Sequence, residues 1–494
     1  MPITAASDSK LFTADKFKNK YWLIIFIVYL VLLGTVVARH EPWMDEAQPW
    51  IYGEEVNPFD LLTKLLRYDG HPPLWYLIVM PFAKIGLPYF TLNVLSAFFS
   101  ALGVLLFLRY SPFPPIIKIL FPFTFFVFYQ YGIVARSYCL IAPLLFFIAV
   151  IYEKKNERPL LFAFLLCLLA SVSAFTFLMA GAIFFVHLLD VVKRRKSLNR
   201  NEIIYQFIAA VLLILTAAAV VLILAQPPDS SFAQGYNLKL KNFIDVAWRR
   251  LSGALIMDEL SNFTKLQAVG SCIIFIFSLI WFWYKKTFLL FSLPCLLITI
   301  LSAVKYSNVW HEGILFILWI FVLWVSFKNE YTEPPILRKI IKLAAVIVLA
   351  TQVYWTGHAA FKDYKYNYSG AYELSQFIKN NKLENKKLFV SGWKSLAIMP
   401  YFDENVFYNY NEGAKNRYWL WSIYNRNMLG AGQEVINRIE KEQPDFAVFA
   451  SDHIDIYSEI RIPGYDLIQV FEGNLYWKTG LFEPDSFFVY RKRQ

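Results

Sequence analysis

Two adjacent carboxylates, Asp45 and Glu46, lie a few residues beyond the first long apolar segment of the chain. A carboxylate beside a reacting centre can act as a general base and take a proton from an attacking hydroxyl. Neighbouring helical residues point about 100° apart. We therefore expect one acid to face a substrate while the other orients or caps the segment. The alternative is that both are ordinary solvated acids, or charges that favour a helix N-terminus.

Basic side chains recur in the loops that follow other apolar segments. Arginine, lysine and histidine are the groups that hold a phosphate and stabilise it as a leaving group. The candidates for phosphate binding are His71, Arg136, Lys305 and His311. Taken singly, each is equally explained as an interfacial or snorkelling charge. Their expected convergence on one face, beside the carboxylates, is what favours a site.

Aromatic and polar residues share the loops of these acids and cations. Trp43, Arg67, Trp75 and Tyr76 lie in the first loop, and Tyr138 lies in the same turn as Arg136. The aromatic residues have two interpretations, an interfacial belt or a surface that stacks on sugar rings. The four cysteines fall in apolar runs without metal-ligand spacing, and oxygen ligands are too few in any one place for a dedicated metal site.

Composition determines the elements that must position these groups. The chain has 494 residues, of which 57% are hydrophobic and only 17% charged, whereas soluble proteins average about 25% charged. Several runs approach the roughly 20 apolar residues that cross a bilayer. The net charge of +11 lies mostly in short loops between these runs, which indicates membrane orientation and excludes nucleic acid as the partner. We predict an all-α polytopic bundle.

The positive-inside rule orients this bundle. Basic clusters at 153–158 and 193–196 are expected in the cytoplasm, together with a tail at 1–20. This placement makes residues 72–86 a short interfacial or re-entrant helix within a first outer loop at 39–89, rather than a crossing. The transmembrane domain then covers 21–356. Its eleven predicted spans are 21–38, 90–110, 115–133, 138–152, 159–173, 174–192, 203–225, 264–284, 287–304, 310–327 and 338–356.

The composition changes after residue 356 to polar sequence rich in tyrosine and asparagine. Helical patterns at 371–380 and 434–442 alternate with strand patterns at 387–390, 445–450 and 487–490. This alternation predicts a small α/β domain over 357–494. The preceding span places it on the extracytoplasmic face.

Four short stretches together resemble a known family. They are the acidic pair at 45–46, GHPPLWY at 70–76, ARSY at 135–138 and WHEG at 310–313. In this order they are similar to the membrane-embedded C-type glycosyltransferases. Within these they look most like the bacterial branch akin to protein O-mannosyltransferases and lipid A aminoarabinose transferases. The likeness covers residues 15–356.

The resemblance implies an inverting transferase in a bacterial inner or plasma membrane, with a polyprenyl-phosphate sugar as donor. The acceptor is a lipid, a glycan or a protein. The family's first acid is the catalytic base, which corresponds to Asp45 with Glu46 beside it. His71, Arg136 and one of Lys305 or His311 would hold the donor phosphate. Aminoarabinose transferases carry lysine where His71 stands. No cofactor is required by this chemistry, although some relatives use a divalent ion.

Two other classes of protein fit a polytopic chain with outer cations. A lipid or glycan transporter would be expected to show internal repeats or helices broken by Gly and Pro in corresponding halves. A non-catalytic envelope-assembly protein would be expected to have lost its acidic pair, which is intact here. Sugar transfer by the purified protein separates both classes from an enzyme.

Overall fold

The computed structural model describes residues 21–231, 240–428, 432–451 and 461–494, and the predicted tail at 1–20 lies outside this part of the chain. The described part of the membrane region is helical. Its α-helices are α1 (Tyr21–Val37), α2 (Met44–Glu55), α3 (Pro58–Asp60), α4 (Leu66–Asp69), α5 (Leu74–Lys84), α6 (Thr91–Tyr110), α7 (Pro115–Leu120), α8 (Ile141–Ile151), α9 (Pro159–Ala170), α10 (Ala174–Lys193), α11 (Arg200–Leu224), α12 (Leu240–Leu255), α13 (Thr264–Tyr284), α14 (Phe288–Val304), α15 (Glu312–Lys328) and α16 (Pro335–Lys365).

All eleven predicted spans coincide with helical segments. Short π and 3-10 turns extend some of the α-helices. Within the described residues, seven helical segments are long and apolar enough to cross a membrane: Thr91–Tyr110, Pro115–Ile133, Ser137–Lys154, Ala174–Lys193, Arg200–Leu224, Thr264–Tyr284 and Val309–Lys328. The helices α1, α9 and α14 are apolar but shorter. With 12 residues, α9 reaches only about 18 Å, less than a hydrocarbon core of about 30 Å.

Two salt bridges join loops that are predicted to lie at the same end of the bundle. Lys155 Nζ lies 3.6 Å from Asp190 Oδ2, which brings the two basic clusters to the same end. Lys285 Nζ lies 2.7 Å from Glu333 Oε2 and joins two further loops.

Segment 72–86 forms the 11-residue helix α5, about 16 Å long, which is too short to cross.

The helix α15 lies at the centre of the bundle. Every residue of its apolar stretch is buried inside the protein, whereas only 17% of the corresponding stretch of α11 is buried. A helix that is apolar on all sides belongs either in a core or against lipid. α15 is therefore the core helix, and α11 is peripheral. The indole N–H of Trp319 donates to Ser278 Oγ at 3.0 Å, so this polar group is satisfied inside the bundle.

The predicted C-terminal α/β domain is confirmed. Its helices are α17 (Ala371–Asn380), α18 (Ile423–Met428) and α19 (Gln433–Glu442), and its strands are β1 (Leu388–Ser391), β2 (Phe446–Ala450), β3 (Tyr465–Phe471), β4 (Asn474–Trp477), β5 (Gly480–Pro484) and β6 (Phe487–Lys492). A mixed sheet has the order β1-β2-β6-β3, with β1 and β2 parallel. Because successive strand residues face opposite sides, Val390 packs with α17 and Phe389 with α19. Strands β3, β4 and β5 were not predicted.

The hairpin β4–β5 joins this domain to the bundle. At its turn, Lys478 is 1% exposed and its Nζ lies 2.9 Å from Glu312 Oε2 on α15. Arg250 Nη1 of α12 lies 2.9 Å from the other oxygen of Glu312. Removing one partner of such a buried group costs about 3–5 kcal/mol. Because α16 also continues past residue 356 to Lys365, the C-terminal domain is joined to the bundle both by this helix and by the Lys478–Glu312 contact.

Candidate active site

The two adjacent acids on the helix α2 have different surroundings. Asp45 and Glu46 both lie in its first turn, where the helix dipole favours negative charge. The side chain of Asp45 is 22% exposed, and that of Glu46 is fully buried. The Asp45 side chain is therefore accessible from the surface, whereas the Glu46 side chain is not.

Glu46 binds three separate parts of the chain. Its Oε2 accepts the backbone N–H of Trp43 at 3.1 Å, which caps α2. Its Oε1 accepts the backbone N–H of Ala135 at 2.5 Å. That N–H is available because the π-helical segment Phe125–Ile133 ends just before it. Glu46 therefore fixes the position of α2 relative to the residue that precedes Arg136.

His40 is the third partner of Glu46. Its Nε2 lies 3.2 Å from Glu46 Oε2, and its Nδ1 lies 2.8 Å from Asp363 Oδ2 near the end of α16. Burial alone would lower the pKa of His40, but the carboxylates of Asp363 and Glu46 together raise it to about 10. The ring is thus a protonated link between two buried carboxylates and ties the first outer loop to α16.

Arg136 forms an ion pair with the exposed acid. Its Nη2 lies 2.9 Å from Asp45 Oδ2, and its guanidinium lies over the rings of Trp310 and Tyr138 at 4.8 and 5.1 Å. Such cation–π contacts hold the guanidinium plane in place. Its Nη1 has no hydrogen-bond partner among the described residues. The side chain can therefore bind Asp45 and still donate to an anion.

A cleft opens beside this ion pair and encloses about 440 Å³, its open mouth included. It is lined by residues of the first outer loop, of the turn at 136–137 and of the C-terminal domain. The lining residues are Met44, Asp45, Gln48, Pro49, Asp69, His71, Trp75, Tyr76, Arg136, Ser137, Leu396 and Trp421.

His71 reaches the cleft through a tight turn. Gly70 ends α4 with φ +70°, a left-handed conformation that glycine adopts without strain. His71 Nδ1 then lies 2.9 Å from the carbonyl of Asp69, so Nδ1–H donates there and Nε2 stays available. The Asp69 carboxylate accepts a hydrogen bond from the Tyr76 hydroxyl. Burial raises the pKa of Asp69.

The structure brings only two of the four predicted phosphate-binding cations to the cleft, His71 and Arg136. His311 is 1% exposed, and both its ring nitrogens are engaged, Nδ1 by the Asn308 N–H at 3.0 Å and Nε2 by the Tyr138 hydroxyl at 3.1 Å. It therefore supports Tyr138 beneath Arg136 and does not reach the cleft surface. Lys305 Nζ donates to Gln226 Oε1 at 3.2 Å, near the turn at Gly70.

The remaining predicted contacts also differ from expectation. Arg67 Nε donates to the carbonyl of Ala225 at 2.8 Å and does not line the cleft. Trp43 is buried and makes an edge contact with Trp310. Trp75 and Tyr76 line the cleft but are almost entirely buried. These side chains offer little free ring surface to a sugar and act mainly as packing.

Several cleft residues escaped the sequence analysis. Leu396 and Trp421 belong to the C-terminal domain and lie more than 350 residues after Asp45, so no local spacing links them to the acids. Gln48 and Asp69 lie close to the acids in sequence. The signal for Gln48 was its spacing of three residues from Asp45, which places both side chains on one face of a helix. For metals, no group of three or more His, Cys, Asp or Glu residues converges in the described ranges.

Comparison with known proteins identifies the fold. No family model and no curated protein matches the sequence. Two solved structures of ArnT from Cupriavidus metallidurans do match, each 9% identical in sequence and covering 95% of this chain and 98% of theirs. The apo structure has a TM-score of 0.53, and the structure bound to undecaprenyl phosphate has 0.51. The likeness extends over bundle and C-terminal domain together and confirms the fold expected from the four sequence stretches.

The buried His40 link predicts a pH dependence of stability. The pKa of His40 is about 10 in the folded protein, whereas a histidine in the unfolded chain has a pKa of 6.5. The folded state therefore binds more protons in this interval, and the stability contribution is full below pH 6.5 and lost as the pH rises through about 10. Thermal unfolding in detergent should show His40→Gln well below wild type at pH 6, with the difference shrinking towards pH 10.

His358→Gln is the matched control, because His358 is an exposed histidine on α16. It should unfold like wild type at every pH. A difference between wild type and His40→Gln that stays constant from pH 6 to pH 10 would contradict the charged link.

Proposed function

We propose that this protein is an integral-membrane glycosyltransferase. It moves a sugar from a polyprenyl-phosphate donor to an acceptor hydroxyl, with inversion, and Asp45 is the general base. The observation that carries the proposal is the partly exposed Asp45 carboxylate held 2.9 Å from the Arg136 guanidinium in an open cleft. Support comes from the ArnT-like fold, since one of the two ArnT structures contains undecaprenyl phosphate.

The chemistry follows from the charges in the cleft. The acceptor hydroxyl attacks the anomeric carbon, its proton passes to Asp45, and the carbon–oxygen bond to the lipid phosphate breaks. Arg136 and His71 are the cleft cations that can neutralise the departing phosphate. Because Nη2 of Arg136 holds Asp45 while Nη1 is unpartnered among the described residues, one guanidinium can hold both base and leaving group in register.

The lipid tail of such a donor requires a site at the edge of the bilayer. Arg136 of the cleft precedes α8 and Lys155 of the bridged basic clusters follows it, so the cleft and these clusters lie at opposite ends of that helix. The positive-inside rule puts those clusters in the cytoplasm. The cleft and the C-terminal domain then face the extracytoplasmic side of a bacterial inner membrane.

The direct test is transfer from a radiolabelled polyprenyl-phosphate sugar by purified protein. Asp45→Asn should lower turnover about 10²- to 10⁴-fold, because the amide cannot accept the proton, while donor binding changes little. Arg136→Ala should weaken donor binding as well, and Arg136→Lys should recover only part of it, because a lysine cannot reproduce the guanidinium fork.

Asp466→Asn is the matched control, because this acid forms an exposed ion pair with Arg493 in the C-terminal domain and does not line the cleft. It should transfer sugar at the wild-type rate. Near wild-type turnover in Asp45→Asn would remove Asp45 as base. Donor binding without any transfer by the wild-type protein would favour a transporter or an assembly protein.

Orientation is tested with fusions. A reporter that is active only outside the cytoplasm should be active when fused after Gln494 and silent when fused after Lys196. The reverse pattern would place the cleft in the cytoplasm and contradict the proposed site of reaction.

A further inference from the structure

Two tryptophans of the C-terminal domain form an accessible aromatic surface beside the cleft. Trp421 lines the cleft, and the ring of Trp393 lies 6.3 Å from it, centroid to centroid. Trp393 is 38% exposed, in contrast to the buried Trp43 and Trp75 of the first outer loop. We call Trp421 and Trp393 the indole platform. The buried Trp419 supports it from behind, with its ring 6.3 Å from that of Trp421.

The platform is held in register with Asp45. Gln48 lies three residues after Asp45 and on the same face of α2. Its Oε1 accepts the backbone N–H of Trp419 at 3.0 Å, and its Nε2 donates to the carbonyl of Trp419 at 2.6 Å. On the other side, the N–H of Ser231 donates to the carbonyl of Trp421 at 2.9 Å. Backbone hydrogen bonds on both sides thus fix Trp421 relative to the exposed carboxylate.

The two walls of the cleft differ in charge. Asp45, Asp69, His71 and Arg136 all come from the membrane region, whereas the C-terminal domain contributes Leu396 and Trp421. A wall of aliphatic and indole groups offers no cation to a second phosphate. It is suited to a flat, partly apolar ring, and the C–H face of a pyranose is such a ring.

The geometry of the proposed reaction indicates which reactant lies beside each wall of the cleft. In an inverting displacement the attacking hydroxyl and the leaving phosphate lie on opposite sides of the anomeric carbon. Arg136 and His71 suit the phosphate, whereas Asp45 must receive the proton of the acceptor hydroxyl, so the acceptor lies between Asp45 and the uncharged C-terminal wall. We propose that the indole platform binds a sugar ring of the acceptor, which makes the acceptor a glycan or glycolipid. This inference rests on the proposed function for its place in the reaction, but saccharide binding can be measured without it.

Binding is measured first, with no donor present. Methyl glycosides of glucose, galactose, mannose and N-acetylglucosamine are titrated into the full-length protein in a detergent that has no sugar headgroup, with saturation-transfer NMR as readout. Wild type should bind at least one glycoside saturably, and Trp421→Ala should bind it about tenfold more weakly. Trp421→Phe should retain most of the affinity, because a ring remains. Trp248→Ala replaces an exposed tryptophan on α12 and should bind like wild type.

Transfer to the bound glycoside is measured second. Trp421→Ala should raise the KM for the acceptor about tenfold, and Trp248→Ala should leave this KM at the wild-type value. The inference is overturned if wild type binds no glycoside, or if Trp421→Ala binds as tightly as wild type. A wild-type protein that binds glycosides but neither binds nor hydrolyses donor would overturn the proposed function and leave the saccharide platform standing.

Discussion

The site depends on one buried carboxylate. Glu46 accepts hydrogen bonds from the start of α2, from the backbone beside Arg136 and from His40. A buried carboxylate is costly unless its lone pairs are satisfied, and here each bond also joins a separate segment of chain. The position of the ion pair between Asp45 and Arg136 is consequently set by buried groups. Its geometry exists before any ligand arrives, as electrostatic catalysis requires.

The C-terminal domain is part of the site. The β4–β5 hairpin inserts Lys478 next to Glu312, and α16 runs without a break from the bundle towards the domain. Glu312 directly follows His311, which supports Tyr138 beneath Arg136. Lys478 of the C-terminal domain and Tyr138 of the cleft region therefore contact two adjacent residues, Glu312 and His311, at the start of α15. This explains how a domain that begins more than 300 residues after Asp45 can supply one wall of the cleft.

Sequence reasoning succeeded where local pattern determines structure. Apolar length located helical segments at all eleven predicted positions, seven of them, within the described residues, long and apolar enough to cross a membrane. Alternation located α17, α19, β1, β2 and β6. Sequence reasoning also singled out Asp45 and Arg136 as site candidates, and the structure brings their side chains within 2.9 Å of each other. Sequence reasoning failed where long-range packing determines whether a side chain is accessible. His311 has the right residue type, but two hydrogen bonds engage its ring. Trp43 is buried, whereas Trp421, with no motif around it, is accessible. Which aromatic ring faces a cleft depends on contacts across hundreds of residues.

The central claim is that the Asp45–Arg136 pair marks the place where a lipid-linked sugar phosphate reacts. The most direct measurement is an electron cryo-microscopy structure of the protein with a non-hydrolysable polyprenyl-phosphonate sugar. The account predicts the phosphonate within hydrogen-bond distance of Arg136 Nη1 and His71 Nε2, with the anomeric carbon beside Asp45. Phosphonate density elsewhere in the bundle, with the Asp45–Arg136 cleft unchanged and empty, would contradict it.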